Sequence, residues 1–259
     1  MARVEGLRVY PVKGLDGVDI EAATVGAGGT LAGDREFALV DGDSVINAKQ
    51  APSLHEVDAD FDPETGELSV EAPGRDSRTF ALRDDRTAAS AWFSEHVGAD
   101  LSLERDAERG FVDRPEIGPS VVSTATLEAV ASWFDDLTTA GVRRRLRANV
   151  EVGGVEAFWE DRFLGDDAPA FEAGGVRVDG VKPCGRCVVP TRDPDTGDPL
   201  PGFRERFVER RRETLPEWVD RDAFDHFYVV MLLASVPEAD RGKTIRVGDD
   251  VTVVESARR

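Results

Sequence analysis

Apolar and polar residues alternate through most of the first hundred positions, in short runs that glycine and proline interrupt. Alternation of this kind predicts half-buried β-strands, because successive side chains of a strand point to opposite faces of a sheet. The segment Asp41-Gly42-Asp43 lies between two such runs and predicts a hairpin turn. In this half of the chain, strands are predicted at 2–12, 18–25, 33–40, 44–47, 54–60, 67–71 and 78–83.

Helical spacing of apolar residues is confined to a few segments. It predicts helices at 85–97, at 203–213 and after Ser123 or Thr124, either of which can cap a helix N-terminus. Rare helices among many short strands predict a mainly β fold of the α+β class. Such a fold is a barrel or a sandwich rather than a series of alternating strands and helices.

The second half of the chain contains longer apolar runs. Residues 142–150 are predicted to enter a strand that ends at Gly153, and 227–236 to form a long buried strand. Residues 244–254 are predicted to close the chain as a pair of strands. The acidic, irregular stretch 98–118 separates the two halves, which predicts a domain transition there.

Charge is the unusual feature of the composition. Acidic residues outnumber basic ones by 51 to 32, and only four of the basic residues are lysines. An acidic shell almost without lysine resembles proteins of organisms with molar salt in the cytoplasm, where a Debye length of roughly 3 Å screens self-repulsion. An ordinary acidic enzyme is the alternative. The balance argues against nucleic acid as a partner, since no basic face is offered to phosphates.

The apolar runs are too short for a membrane helix. The longest, 229–236, has the length of a buried strand, whereas a helix that crosses a bilayer needs roughly 20 residues. The first residues lack the apolar core of a signal peptide, and two closely spaced cysteines do not make a secreted disulfide framework. We therefore expect a cytoplasmic protein without a membrane span.

Both cysteines, Cys184 and Cys187, lie in one C-x-x-C motif with Lys182, Arg186 and Arg192 nearby. A structural zinc site needs four ligands, and here there is no second cysteine pair. A thioredoxin-like pair should open a helix, which the following Val-Val-Pro sequence disfavours. Two further interpretations are a pair of inert, half-buried side chains and a single thiolate bound to a soft metal. From the motif alone these alternatives stay open.

The segment 181–197, VKPCGRCVVPTRDPDTG, resembles the signature of the MOSC domain family (molybdenum cofactor sulfurase C-terminal domain). Within that family it is most similar to the mitochondrial amidoxime-reducing component and its bacterial relatives. Five further segments occur in the family's order: 10–14, 31–35, 47–54, 145–150 and 247–251. The resemblance implies an N-terminal β-barrel-like domain, 1–100, packed on a C-terminal MOSC β-barrel, 101–259, with a few peripheral helices.

The resemblance also implies roles for residues of the C-x-x-C motif. Cys187, just before a Val-Val-Pro-Thr-type strand, corresponds to the family's molybdenum ligand and thus to the catalytic metal centre. Cys184 is expected to lie nearby without coordinating. Gly185 and Arg186 are expected to contact the molybdenum cofactor, although relatives often have a small polar side chain where Gly185 stands.

Five residues elsewhere are implied to contact the cofactor's pyranopterin and phosphate, namely Lys13, Gly14, Arg35, Arg147 and Asn149. Gly14 departs from the family's Lys-Ser pair. Arginine's planar fork suits the phosphate, and a thiolate suits the metal.

Several other polar residues receive different expectations. His226 and Tyr228 lie where relatives line the substrate cavity. The run 143–145 is expected to be a solvated surface, and Asp193 and Asp195 are expected to form turns.

The implied reaction is reduction of an N-hydroxylated or N-oxide small molecule by oxygen-atom transfer at the cysteine-ligated molybdenum. The sequence has no iron–sulfur cysteine set and no nucleotide fingerprint, so a separate electron-transfer protein, ferredoxin- or cytochrome b5-like, is expected as donor. The alternative function is a MOSC-type carrier that binds the cofactor or passes sulfur to it without reducing a substrate.

Overall fold

The computed structural model of the protein describes residues 1–114 and 116–256. Its strands are β1 (Arg3–Val9), β2 (Val12–Lys13), β3 (Val18–Asp19), β4 (Ala22–Thr24), β5 (Phe37–Asp41), β6 (Ser44–Ile46), β7 (Asp58–Asp62), β8 (Glu67–Ala72), β9 (Arg75–Ala81), β10 (Ser102–Arg105), β11 (Ser120–Ser123), β12 (Val150–Gly153), β13 (Ala170–Ala173), β14 (Val176–Gly185), β15 (Val229–Ser235), β16 (Thr244–Arg246) and β17 (Val251–Val254). Its α-helices are α1 (Arg86–Val97), α2 (Thr124–Ser132), α3 (Thr139–Leu146) and α4 (Phe203–Glu213). Short 3₁₀ helices cover Pro52–Glu56, Trp159–Phe163, Val189–Thr191, Arg221–Ala223 and Glu238–Asp240.

The largest sheet joins the start of the chain to its second half. Eight strands lie in the order β17-β13-β14-β15-β11-β12-β1-β3, antiparallel except for the parallel pair β11 and β12. Leu7 of β1 is opposite Val150 of β12. The buried core of this sheet includes an aromatic group in which the rings of Trp159 and Phe163 lie 4.6 Å apart and those of Phe163 and Phe171 4.9 Å apart. Burial of these large rings is a main source of the sheet's stability.

A second core lies under the smaller sheets of the N-terminal half. Strands β10, β5 and β2 are neighbours, with β6 paired to β5, and β7, β8 and β9 form a meander. Helix α1 buries Trp92 and Phe93 in this core and ends at Gly98, whose left-handed φ of 76° closes the helix. The predicted hairpin is confirmed, since Val40 of β5 is opposite Val45 of β6.

A third core is formed where helices cover the large sheet. Residues of α2, α3 and α4 pack together there, and the rings of Trp133 and Phe207 meet edge to face at 5.1 Å. Helix α2 begins where the sequence predicts, because the Ser123 side chain accepts a hydrogen bond from the Thr126 backbone N–H. No described helix has the length and apolar character of a membrane span.

The mainly β fold with a few helices is confirmed, but three local predictions are wrong. Residues 139–146 are helical, because Val142 and Leu146 both turn toward the helical core. The segment after Cys187 is a 3₁₀ turn at Val189–Thr191 instead of a strand. Strands β16 and β17 do not pair with each other, since β16 pairs with β4 and β17 with β13. The division of the chain at residue 100 stays a prediction.

A polar cluster is buried between the aromatic rings of the large sheet and α4. The Arg211 guanidinium, fully buried, donates to the carboxylate of Asp161 and to the carbonyl of Val229. The neighbouring Glu160 accepts hydrogen bonds from the Ser123 N–H and the Thr126 hydroxyl. Burial, followed by the negative charge of Asp161, raises the pKa of Glu160 to about 7.

This pKa makes stability depend on pH. Between the ordinary glutamate pKa of 4.5 and about 7, the folded protein holds a proton that the unfolded chain releases. Ionisation of Glu160 should therefore lower the free energy of unfolding as pH rises through this window, by about 3 kcal/mol in all. We expect Glu160→Gln to remove that part of the pH dependence, measured by chemical denaturation between pH 4.5 and 8 at constant salt.

The matched control is Glu217→Gln, which changes an exposed glutamate. It should leave the pH dependence of the wild type unchanged. Parallel pH–stability curves for the wild type and Glu160→Gln would show that Glu160 does not titrate in this range.

Candidate functional site

One cavity of about 410 Å³ opens between the N-terminal half and the large sheet. Its walls come from the end of β2, the Pro52–Glu56 turn, the end of α3 and the chain after β14. All of the site residues predicted from the sequence line it: Lys13, Gly14, Arg35, Arg147, Asn149, Gly185, Arg186 and Cys187.

The two cysteines have different surroundings. The Cys184 sulfur accepts a hydrogen bond from Arg186 Nη1 at 3.1 Å and packs against the helical core. The Cys187 thiol has no hydrogen-bond partner among the residues that the structure describes, and its side chain lines the cavity. Both thiols are free. The pair is therefore asymmetric, with one sulfur engaged and the other available to a ligand.

The turn that presents Cys187 is held by the protein backbone and by Tyr228. Strand β14 pairs with β15, and the Arg186 N–H continues this pairing by donating to the Tyr228 carbonyl at 2.9 Å. The Tyr228 hydroxyl in turn donates to the Cys187 carbonyl at 3.2 Å. His226 and Tyr228 are not among the residues that line the cavity, contrary to expectation.

The Arg186 guanidinium ties the turn to the end of α3. It donates to the carbonyls of Leu146, at 2.9 Å, and Arg145, at 3.4 Å, besides the Cys184 sulfur. The last carbonyls of a helix have no partner within the helix, so a cation there is favourable. Arg186 thus fixes Cys187 relative to α3 through its own contacts.

Arg35 and Arg147 are the two arginines at the site with left-handed backbones, with φ of 53° and 60°. Their guanidinium carbons lie 5.3 and 4.1 Å from the centre of the buried Tyr10 ring. Left-handed conformations cost non-glycine residues about 1–2 kcal/mol and cluster at functional sites. With these backbone conformations, both guanidinium groups lie over one aromatic ring beside the cavity.

The charge of Arg147 is poorly compensated by the protein. Its guanidinium donates to the carbonyl of Leu15 at 2.6 Å and is not paired with a carboxylate in the described chain. Burial, together with the positive charge of Arg35, lowers the pKa of Arg147, whereas Tyr10 opposes this effect. Arg35 differs because it is paired with Asp34. A half-buried cation without a carboxylate partner fits an anionic group in the cavity.

Lys13 and Asn149 are engaged with the protein itself. The Lys13 ammonium donates to the Phe111 carbonyl at 2.7 Å and to Asp113 at 2.6 Å. The Asn149 side chain accepts from the backbone and hydroxyl of Ser120 and donates to the Arg8 carbonyl. Asn149 therefore connects β1, β11 and β12 directly beside Arg147.

Gly14 and Gly185, the two glycines at which the sequence differs from the family pattern, are constrained in different ways. Gly14 has a φ of 99°, and a Cβ there would lie 3.2 Å from Asn47, so a side chain would be strained. A Cβ on Gly185 would lie 3.6 Å from the His226 ring, an ordinary contact. Glycine is required at position 14 by the backbone and is not required by space at position 185.

The sequence interpretation missed a group of charged residues that surround the same cavity. The expectation of a solvated run at 143–145 is wrong for Arg145, which is buried, whereas Arg143 and Arg144 are half-exposed and form ion pairs. Arg143 pairs with Glu151, Arg144 with Asp16 and Asp195, and Arg145 is buried with Asp193 at 3.5 Å. His55 and Arg192 also line the cavity. Helical spacing of Val142 and Leu146 is the signal that could have revealed this arrangement.

The side chains of the described residues do not form a cluster of metal ligands. The described residues contain no group of three or more His, Cys, Asp or Glu side chains that could hold a metal ion. A zinc site of the usual structural type needs four such ligands. The cavity instead combines one free thiol with several guanidinium groups, a set of side chains whose chemistry suits an anionic ligand and a soft metal.

Comparison with known proteins identifies the family. Residues 1–140 match the MOSC N-terminal beta barrel domain, and residues 118–252 match the MOSC domain. The chain belongs to the MOSC family. This membership supports a function associated with the molybdenum cofactor.

Curated relatives agree with the family match. The mitochondrial amidoxime-reducing component 1 of Xenopus laevis is 26% identical over 96% of this chain and 81% of its own length. Component 2 of Bos taurus is 27% identical over 75% of this chain and 67% of its own. A solved structure, the YUAD protein from Bacillus subtilis, matches with a TM-score of 0.46 and 14% identity over 98% of this chain and 96% of its own, a likeness too weak to support an argument.

The left-handed backbone of Arg147 can be tested through stability. Glycine adopts this conformation freely, whereas alanine retains the strain, so Arg147→Gly should be more stable than Arg147→Ala by about 1 kcal/mol. The free energy of unfolding from chemical denaturation at constant salt measures the difference.

The same two substitutions at Arg144 are the control, because that residue lies within helix α3. There alanine should be more stable than glycine by about 1 kcal/mol. If Arg147→Ala is as stable as Arg147→Gly, the backbone at this position is not strained.

Proposed function

We propose that the protein is a molybdenum-cofactor oxidoreductase that reduces N-hydroxylated or N-oxide compounds, with Cys187 as the thiolate ligand of the metal. The observation that carries the proposal is the convergence of the free Cys187 thiol with the guanidinium groups of Arg35 and Arg147 on one cavity. The printed names of the relatives, amidoxime-reducing components, support the choice of reaction.

The residues present fit such a cofactor. A thiolate is a good ligand for a soft metal, and planar guanidinium groups bind phosphate oxygens in pairs. Arg147, half-buried without a carboxylate partner, is suited to the phosphate, and Arg186 holds the turn that carries Cys187. Lys13, Gly14, Asn149 and Gly185 complete the proposed contacts.

The cofactor would supply oxygen-atom transfer. Overall, an N–OH group, two electrons and two protons become an N–H group and water, so a donor of two electrons is required. We propose a separate ferredoxin- or cytochrome b5-like protein as that donor. The acidic, lysine-poor composition supports a site of action in the cytoplasm of a salt-rich cell.

A second candidate function is a MOSC-type carrier that binds the cofactor without reducing a substrate. The exposed position of Val188 next to Cys187 favours this candidate, because a partner could reach the metal ligand there. Turnover of benzamidoxime with a chemical reductant separates the two functions. Reduction supports the enzyme, and metal-loaded protein that leaves benzamidoxime unchanged supports the carrier.

Metal content tests the ligand assignment. Protein purified from a cofactor-competent host should carry about one molybdenum per chain, in line with a single thiolate ligand. Cys187→Ala should lose the molybdenum. Cys184→Ala should retain most of the molybdenum, because the Cys184 sulfur already accepts a hydrogen bond from Arg186. Elemental analysis measures the molybdenum content. Equal molybdenum content in the two variants would refute the assignment of Cys187 as the ligand.

A further inference from the structure

The cavity wall contains buried side-chain nitrogens without hydrogen-bond partners, and those of the arginines are N–H donors without acceptors. Nine buried side-chain polar atoms in the described part of the chain lack a hydrogen-bond partner, and five of them belong to cavity-lining residues. These five are His55 Nε2, Arg145 Nε and Nη1, Arg186 Nε and Arg192 Nε. Buried donors without acceptors cost free energy, so a ligand that fits this wall is rich in acceptors.

Arg145 is the clearest member of this group. It is only 6% exposed, and its contact with a carboxylate is a long one of 3.5 Å from Nη2 to Asp193. Burial lowers the pKa of Arg145, and Asp193 only partly offsets the effect. The adjacent Arg144 is different, since it pairs with Asp16 and Asp195 at 2.7 Å each. The helix thus places one closely paired and one weakly paired guanidinium side by side.

Arg192 and His55 border the cavity on neighbouring segments. Arg192 donates from Nη1 to the Gly197 carbonyl at 2.9 Å, which leaves its Nε unpartnered. The His55 ring lies against the same turn, because a Cβ on Gly197 would be 3.4 Å from its Cδ2. Burial, then the charges of Arg192 and Arg147, lower the pKa of His55. We call Arg145, Arg192 and His55 the second anion subsite.

The second anion subsite is supported separately from Arg35 and Arg147. Those two arginines are held at Tyr10, near the end of β1. Arg145 and Arg192 are attached instead to the 193–197 turn that follows Cys187. A cofactor phosphate bound by Arg147 at Tyr10 would leave the arginine donors beside the 193–197 turn open to a different anion.

We infer that the protein acts on an anionic substrate, an N-hydroxylated or N-oxide compound that carries a carboxylate bound by Arg145 and Arg192. The inference rests on the proposed reductase function and specifies its substrate class. A carboxylate offers two acceptor oxygens to these two guanidinium groups, which is the geometry that arginine favours.

The first experiment compares 4-carboxybenzamidoxime with the neutral benzamidoxime. The wild type should have a kcat/KM at least about tenfold higher for the carboxylate, as expected for charge-assisted hydrogen bonds. Arg145→Gln and the less buried Arg192→Gln should each reduce this preference about tenfold. The control Arg144→Gln, which removes the same charge from the same helix, should keep the preference. Equal kcat/KM values in the wild type would overturn the inference.

The second experiment does not depend on turnover. Binding of the unreactive 4-carboxybenzamide and of benzamide is measured by calorimetric titration. The wild type should bind 4-carboxybenzamide more tightly than benzamide, and Arg145→Gln should bind the two compounds equally. NMR titration should show that it raises the pKa of His55, since a bound anion compensates Arg192. His55 is one of only three histidines in the chain, which simplifies assignment.

The remaining outcomes separate the inference from the proposed function. If Arg145→Gln loses molybdenum while Arg144→Gln keeps it, Arg145 binds the cofactor and the inference is wrong. If neither amidoxime is reduced but 4-carboxybenzamide still binds preferentially, the reductase function fails and the anion subsite stands. If neither carboxylate probe is preferred, the subsite itself is refuted.

Discussion

The pairing of β1 with β12 is the contact on which the rest of the site depends. It joins residues more than 140 positions apart, with Leu7 opposite Val150, and Asn149 reinforces it by bonding to both Arg8 and Ser120. The pairing brings Tyr10, just past the end of β1, under the guanidinium of Arg147. Without this register, the cation would have neither its aromatic platform nor its place in the cavity wall. Because the contact is so distant in sequence, the site can form only when the large sheet is complete.

The distribution of charge reverses between the surface and the cavity. The chain as a whole carries a formal charge of −19, yet the cavity of the candidate site is lined by seven arginines. Carboxylates compensate some of these arginines, whereas Arg145 and Arg147 are left with incomplete partners. At molar salt the acidic surface is screened within roughly 3 Å, so it does little to repel an approaching anion.

Local patterns determine how much of this arrangement is readable from the sequence. The hairpin at 41–44, helix α1 and the start of α2 follow from turn and spacing rules that act within a few residues. Helix α3 was missed because three consecutive arginines suggest a solvated surface, and their carboxylate partners lie at positions 16, 193 and 195. The pairing of β16 with β4 is equally distant. Spacing rules cannot predict contacts between residues so far apart in the sequence. The family resemblance, which spans nearly the whole chain, named eight residues that all line one cavity.

The two glycines that depart from the family pattern illustrate how backbone and space set different limits. At Gly14 the left-handed φ of 99° and the 3.2 Å approach to Asn47 make any side chain costly, so the missing hydroxyl is a consequence of the local fold. At Gly185 the nearest atoms to a Cβ belong to the His226 ring at 3.6 Å, so nothing in the backbone demands glycine. A ligand beside Gly185 therefore meets bare main chain next to the free thiol of Cys187. A Cβ at this position would point toward the His226 ring, which does not line the cavity, so glycine here removes a polar side chain beside the proposed metal ligand without being required by the fold.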